Sequence, residues 1–256
     1  MNPVKFSIII PAKNEEAMIV KTLKAVFDSI LHYCTSLHEK QDIFEVILVD
    51  NNSTDKTREY AEIYNEYKIF QYLHLEKEGA ARARNFGTKN SKGNILIFID
   101  ADTIIPLNAF VSIRHFQETK GFKVGIFKLN SLEGGMLANI WWFFWNQARR
   151  LPIPKAKALP AFMYCTRDVF AEFGPFNEDV HIAEEWPITA EYYRKHPRHF
   201  IYAKDVVALS SNRRMALQKF GYLKTFLKYV WAVLHKSGRK EFTNKIRHAD
   251  SSMIKK

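Results

Sequence analysis

The chain has 256 residues, with 38 Lys+Arg against 27 Asp+Glu for a formal net charge of +11, and is 47% hydrophobic and 25% charged. This composition excludes disordered, collagen-like and low-complexity classes and suits a folded protein with a sizeable core. Two cysteines, Cys34 and Cys165, cannot build a disulfide framework, and the absence of any CxxC pair argues against structural zinc.

No uninterrupted apolar run approaches the roughly 18–20 residues that cross a bilayer. The apolar stretch Phe6–Ile10 stops at Pro11 and is followed by Lys13, Glu15 and Glu16. A secretory signal would need about 7–15 apolar residues there. The expectation is a cytoplasmic protein that reaches a membrane only peripherally, from its inner face. The charge is uneven: residues 186–256 hold 16 Lys+Arg and 4 Asp+Glu, leaving 22 and 23 for residues 1–185. A near-neutral body with a basic C-terminal quarter points to local contact with phosphates or an anionic surface, not to nucleic acid.

In chain order, Val4–Ile10, Phe44–Val49, Ile69–His74 and Asn94–Ile99 read as strands, and Glu15–Tyr33 and Thr54–Tyr67 as helices, the second capped by Ser53 and Thr54. This cadence predicts an α/β fold with a parallel sheet and right-handed crossovers. After Pro106 the pattern predicts a helix over Leu107–Thr119, a strand over Phe122–Leu129 and a loop over Leu151–Pro160. Tyr164–Phe173 and Ile182–Lys195 read as largely helical, and Leu217–His235 as an aromatic, basic helix with a fraying tail from Arg239. Three Trp and two Phe in Trp141–Trp145 cannot share one core, because successive helical positions point about 100° apart.

In open sheets of this kind ligands bind beyond the carboxyl ends of the strands, and the polar motifs fall there. Ile95–Ile99 runs into Asp100-Ala101-Asp102, two carboxylates that can converge on one hard cation, Mn²⁺ or Mg²⁺; capping of the following turn is the plainer reading. Pro11, Ala12, Asn14 and Glu15 follow the first strand, where helix-start amides and polar side chains can hold a ribose or base, or simply cap. Asp50 and Asn51 end the second strand and can accept from a pyrimidine N–H.

These segments, with Gly79-Ala-Ala-Arg-Ala-Arg84-Asn-Phe-Gly87 and Lys92-Gly93-Asn94, resemble in order and separation a family 2 glycosyltransferase of the GT-A fold. The match is dense over residues 6–106 and looser to about 230. The resemblance implies a Rossmann-like, mostly parallel sheet flanked by helices. It divides the chain into a glycosyltransferase domain over 1–215 (donor half 1–106, acceptor half 107–215) and a basic aromatic helix and tail over 216–256. It implies a nucleotide-diphosphate sugar donor, a UDP-sugar. The base would lie near Pro11, Ala12, Asn14, Glu15, Asp50 and Asn51, with Gly79, Arg84 and Ala101 on the donor side. The diphosphate and metal would sit at Asp100 and Asp102. Many members carry two acids where this chain has Asp50-Asn51.

Downstream, Phe173–Glu178 and Ala183-Glu184-Glu185-Trp186 resemble the family's GGFDE segment and its later Glu-Asp pair. That makes Glu185 the base for the acceptor hydroxyl and Glu184 its support, in an inverting displacement. Arg213 and Arg214 resemble a basic element near the phosphates, and His181 is a candidate third metal ligand. The aromatic cluster, with Tyr222, Phe226, Tyr229 and Trp231 among Lys219, Lys224 and Lys228, predicts an interfacial surface for anionic lipid or a lipid-linked acceptor; a homodimer interface is the alternative. Two other classes remain open. The same DxD resembles the opening motif of haloacid-dehalogenase-like phosphatases, and a non-enzymatic polyanion binder would use only the basic segment.

Overall fold

The structure, a computed structural model, describes residues 5–180, 183–216, 221–222 and 224–227. The four predicted N-terminal strands are β1 (Phe6–Ala12), β2 (Phe44–Asp50), β3 (Phe70–His74) and β4 (Ile95–Ile99), all within two residues of their expected bounds. Every residue of β4 is buried, and only Pro11 of β1 is not. Such continuous apolar runs are what strands covered on both faces require. Helix α1 (Ile19–Leu37) buries Ile19, Leu23, Val26, Ile30 and Tyr33 on one stripe. Helices α2 (Thr57–Glu62) and α3 (Ala80–Lys89) complete the crossovers.

The second half adds β5 (Thr103–Ile104), α4 (Ala109–Arg114), β6 (Val124–Ser131), α5 (Met136–Ala148), β7 (Phe162–Thr166), α6 (Arg167–Phe173), α7 (Tyr192–Lys195), β8 (Phe200–Ser210) and α8 (Arg213–Ala216). One eight-stranded sheet runs β3-β2-β1-β4-β7-β6-β8-β5. β1 to β4 are parallel, β7 runs antiparallel between β4 and β6, and β8 returns parallel to β6. The sheet is therefore mostly parallel but mixed beyond β4.

Several local expectations differ from the structure. Tyr164–Phe173 is not one helix: its start closes the buried strand β7, and α6 begins only at Arg167. The first helix starts at Ile19 rather than Glu15, so no helix terminus lies at Asn14 and Glu15. Ser53 does not cap α2; its hydroxyl accepts from the Asn14 N–H at 3.0 Å, while Asp55 accepts from the Thr57 N–H at 3.0 Å. Ile182–Lys195 becomes a single wide turn over Pro187–Glu191 leading into α7. Strand β8 went unpredicted. Of Leu217–His235, residues 221–222 and 224–227 are helical, and the rest lies outside the described residues, as does the tail from Arg239.

Gly125 in β6 has a packing role. A Cβ there would lie 2.1 Å from Cε1 of Tyr164, a buried ring tied by its hydroxyl to the Phe122 carbonyl at 3.0 Å. Gly125→Ala is expected to destabilise by about 1–3 kcal/mol, the usual cost of overpacking a tight core. A urea midpoint equal to that of the wild type would show that the ring yields.

Candidate active site

The register of the sheet brings the polar strand ends together. Ala12 of β1 lies opposite Asp50 of β2, Asp100 follows the last residue of the adjacent β4, and Thr103 of β5 pairs with Ser210 at the end of β8. One edge of the sheet thus carries the residues that end β1, β2, β4 and β8.

A single arginine organises the centre of this edge. Arg84, on α3 and only 2% exposed, donates from Nη2 to Asp100 Oδ1 at 2.5 Å and from Nη1 to Glu184 Oε1 at 2.8 Å. Its position follows from the packing of α3, whose Gly87 lies so close to β1 and β2 that a Cβ would meet Ile9 Cγ2 at 2.6 Å. The Arg84 guanidinium also lies 5.5 Å from the ring centre of Phe176, within cation–π range. Residues 84, 100 and 184, far apart in sequence, are joined by two charge-assisted hydrogen bonds.

Glu185 lies beside this clamp. It is 1% exposed, and its Oε2 is buried with no hydrogen-bond partner among the described residues. Burial and the neighbouring Glu184 carboxylate push its carboxyl up to about 8, although Arg84 pulls the other way. A buried acid with an unsatisfied oxygen and raised proton affinity can, in its ionised form, accept a proton from a hydroxyl.

Asp102 is likewise pushed up, to about 7, by burial and by the charge of Asp100, while Arg213 opposes the shift. Among the described residues no group of three or more His, Cys, Asp and Glu side chains could hold a metal ion. Asp100 and Asp102 alone fit a hard cation that is held by one or two carboxylates and completes its shell with water and phosphate oxygens. The incompletely compensated charge of the pair is the chemistry that such an ion would relieve.

Around this centre the other predicted residues take specific places. Glu15 is buried and accepts from Arg213 Nη2, so the arginine expected at the phosphates is ion-paired in the structure. Asn14, at φ 52°, accepts from the Thr54 N–H at 2.7 Å. Asp50 accepts from the Ser53 N–H at 3.0 Å and the Tyr72 hydroxyl at 2.6 Å, and Asn51 Oδ1 accepts from the Gly79 N–H at 3.0 Å. These residues hold the loops after β1 and β2 and the start of α3. Pro11 and Ala12 end β1, and Ala101 separates the two acids, its carbonyl accepting from Thr22 at 2.8 Å. Arg214 lies in α8; its side chain is outside the described residues, as is the whole of His181.

Two contributors were missed. Glu133 accepts from the Ser211 hydroxyl at 2.5 Å and the Asn212 N–H at 2.8 Å, and the Ser211 N–H donates to the Asp102 carbonyl at 3.1 Å. Glu133 thereby fixes the segment that carries Arg213 against the DxD turn. A lone acid between an apolar strand and Gly134-Gly135 gave no chemical signal. Tyr72, which occupies Asp50, was hidden inside a strand.

Residues 7–127 match the sequence model of the family described as Glycosyl transferase family 2. An uncharacterized glycosyltransferase of Rickettsia conorii is 30% identical over 122 residues, which is 48% of this chain and 18% of that protein. The chain therefore spans less than a fifth of that relative's length. Among solved structures, S. aureus TarS 1–349 in complex with UDP-GlcNAc superposes with a TM-score of 0.63 at 17% identity, covering 94% of this chain and 70% of that one. Glucosyl-3-phosphoglycerate synthase from Mycobacterium tuberculosis, in complex with Mn²⁺, UDP and glucosyl-3-phosphoglycerate, gives 0.60 at 20%, covering 90% and 78%. The phosphatase alternative loses its ground, since the two acids end the fourth strand of a sheet instead of opening a domain. The chain thus has GT-A architecture, and its first half, with the strand-end motifs of residues 7–127, is similar to the family 2 glycosyltransferases.

Proposed function

We propose that the protein is a metal-dependent, inverting hexosyltransferase-like enzyme that moves a sugar from a nucleotide-diphosphate sugar, a UDP-sugar, to a hydroxyl acceptor. The observation that carries this reading is the clamp of Arg84 on Asp100 and Glu184, which draws the β4 acids and the Glu184-Glu185 pair to one edge of the sheet. The similar TarS and glucosyl-3-phosphoglycerate synthase structures contain UDP-GlcNAc and UDP with Mn²⁺, respectively, and support the donor class and the metal.

In this reading Glu185 takes the proton of the acceptor hydroxyl on Oε2. The acceptor oxygen forms its bond to the anomeric carbon as the bond from that carbon to the diphosphate oxygen breaks, and the departing nucleoside diphosphate takes the electron pair. Mn²⁺ or Mg²⁺ held by Asp100 and Asp102 would supply charge stabilisation for that leaving group. Arg84 orients Asp100 through its hydrogen bond. Arg213, drawn from Glu15, is available to the diphosphate, with Arg214 beside it. Residues 1–106 form the donor half and 107–215 the acceptor half.

The acceptor, lipid-linked or a growing cell-envelope glycan, is proposed to be met at an anionic membrane surface. Helix α5 exposes Met136, Leu137, Ile140, Phe143 and Phe144, whereas Trp141 and Trp142 are buried. Exposed Arg150 and half-buried Lys128 adjoin Phe143 on this side, a combination suited to an anionic interface. No helix among the described residues is long and apolar enough to cross a membrane.

Donor class and metal are tested together by thermal shift with a panel of nucleotide sugars, with and without Mn²⁺. UDP-sugars with Mn²⁺ are expected to raise Tm in the wild type and to leave Asp102→Ala unmoved. A shift that persists in Asp102→Ala, or a panel with no effect on the wild type, would remove the proposal.

A further inference from the structure

Beside the exposed face of α5 lies a cleft that the proposed transfer does not use. It runs between β6 and α5, encloses about 190 Å³ and is lined by Lys128, Asn130, Asn139, Trp142, Gln147 and Arg150, among others. Drug-sized pockets run to roughly 300–1,000 Å³, so this one fits a small polar group.

Two walls of the cleft are fixed from behind. The Trp142 indole N–H donates to Asn212 Oδ1 at 3.1 Å, and Asn146 donates to the Leu129 carbonyl at 2.8 Å while accepting from the Tyr202 hydroxyl at 3.0 Å. The remaining polar side chains, on Lys128, Asn130, Asn139, Gln147 and Arg150, make no hydrogen bond or ion pair among the described residues. Two cations and three amides therefore face one space whose lining contains no carboxylate, which selects an anion with further acceptor oxygens. The border of the cleft is apolar: Phe143, which also lines it, is 66% exposed, and Ile140 and Leu137 on the next turn are 53% and 65% exposed. An anion site bordered by exposed apolar surface matches an amphiphile whose charge sits at its head.

We infer that the cleft between β6 and α5 seats the phosphate ester head group of an anionic lipid, with the acyl chains against Leu137, Ile140 and Phe143. This rests on the membrane reading above and deepens it by naming what the surface recognises. A free phosphate ester shares the head-group chemistry, and the apolar border favours the lipid. The bound head would sit one side chain from Asn212, the residue preceding Arg213, since Trp142 lies between them.

The test compares partition of the full chain onto phosphatidylcholine vesicles with and without a minor share of phosphatidylglycerol. The informative variant is Asn139→Ala/Gln147→Ala, which leaves every charge in place. Diffuse attraction to an anionic surface would not change, whereas a head-group site loses hydrogen bonds to a charged partner, a loss of about tenfold in partition. The expected result is preferential binding of the wild type to phosphatidylglycerol vesicles, about a tenfold loss in the amide variant, and loss on both vesicles in Leu137→Ser/Ile140→Ser. Equal partition of wild type and amide variant overturns the cleft while leaving the membrane reading intact. No binding of the wild type to either vesicle overturns the membrane reading and the cleft with it. Chemical-shift changes at Lys128 and Gln147 with glycerol 3-phosphate but no vesicle preference would assign the cleft to a soluble phosphate ester and overturn the lipid. A dimer that dissociates in Leu137→Ser/Ile140→Ser without vesicle binding would assign the face to a second copy.

Discussion

Glu185→Gln is expected to lower transfer by about 10²–10⁴-fold, the usual contribution of a positioned general base, while leaving the thermal shift by the donor unchanged. The amide keeps the shape of the side chain but cannot take up the proton. The same substitution carries a second signature, set by pH. The carboxyl would ordinarily ionise near 4.5 and is held up to about 8 by burial and Glu184. Between those values the unfolded chain has released a proton that the folded chain keeps, so the contribution of this group to stability falls as pH rises and is fully lost above about 8. Gln escapes that loss. Glu185→Gln is therefore expected to have a Tm close to that of the wild type near pH 4.5 and a growing advantage up to about pH 8. Wild-type transfer should rise with pH over the same interval, because only the ionised carboxylate accepts. Retained transfer, or a Tm difference flat in pH, would remove Glu185 from the role of base.

The donor half was legible because its physics is local. SIII, EVILV and ILIFI are strands with no solvent face, and a sequence must write such a strand as a continuous apolar run. The polar residues after each run marked the sheet edge that the register brings together at Ala12, Asp50 and Asp100. The acceptor half was less legible because its elements depend on partners. The pattern of β8 is broken by exposed Lys204 and Asp205, where the pairing with β6 slips: Ala203 faces Phe127 and Val207 faces Lys128. In β7, FMYCT runs without a break into RDVFAEF, so strand and helix merged into one apparent helix; only the contacts of β7 with β4 and β6 separate them. The partners of Arg84 stand 16 and 100 residues away, a distance at which spacing carries no information. The resemblance put Arg84 on the donor side, but its tie to Glu184, which makes one site of two motifs, is a product of the fold.

Arg84→Met should be the most destabilising single change in this site. The guanidinium is buried and is the only basic group hydrogen-bonded to Asp100 and Glu184 among the described residues. Methionine fills similar volume without charge, so the substitution leaves two carboxylates close together without a counter-charge. Breaking a buried pair by removing one partner costs about 3–5 kcal/mol, enough to move a urea midpoint well outside error. Because the loss comes from carboxylates without a counter-charge, it should shrink as pH falls toward the ordinary carboxylate range. Arg84 also pulls the Glu185 carboxyl down, so Arg84→Met should move the rise of any residual transfer to higher pH. Adding Glu184→Gln should restore part of the stability, since one of the uncompensated charges is then gone; the size of that rescue measures the coupling of the pair. If Arg84→Met unfolded at the wild-type urea concentration at both pH 5 and pH 8, the clamp would contribute nothing to the fold, and the meeting of the DxD strand with the Glu184-Glu185 turn would need another cause.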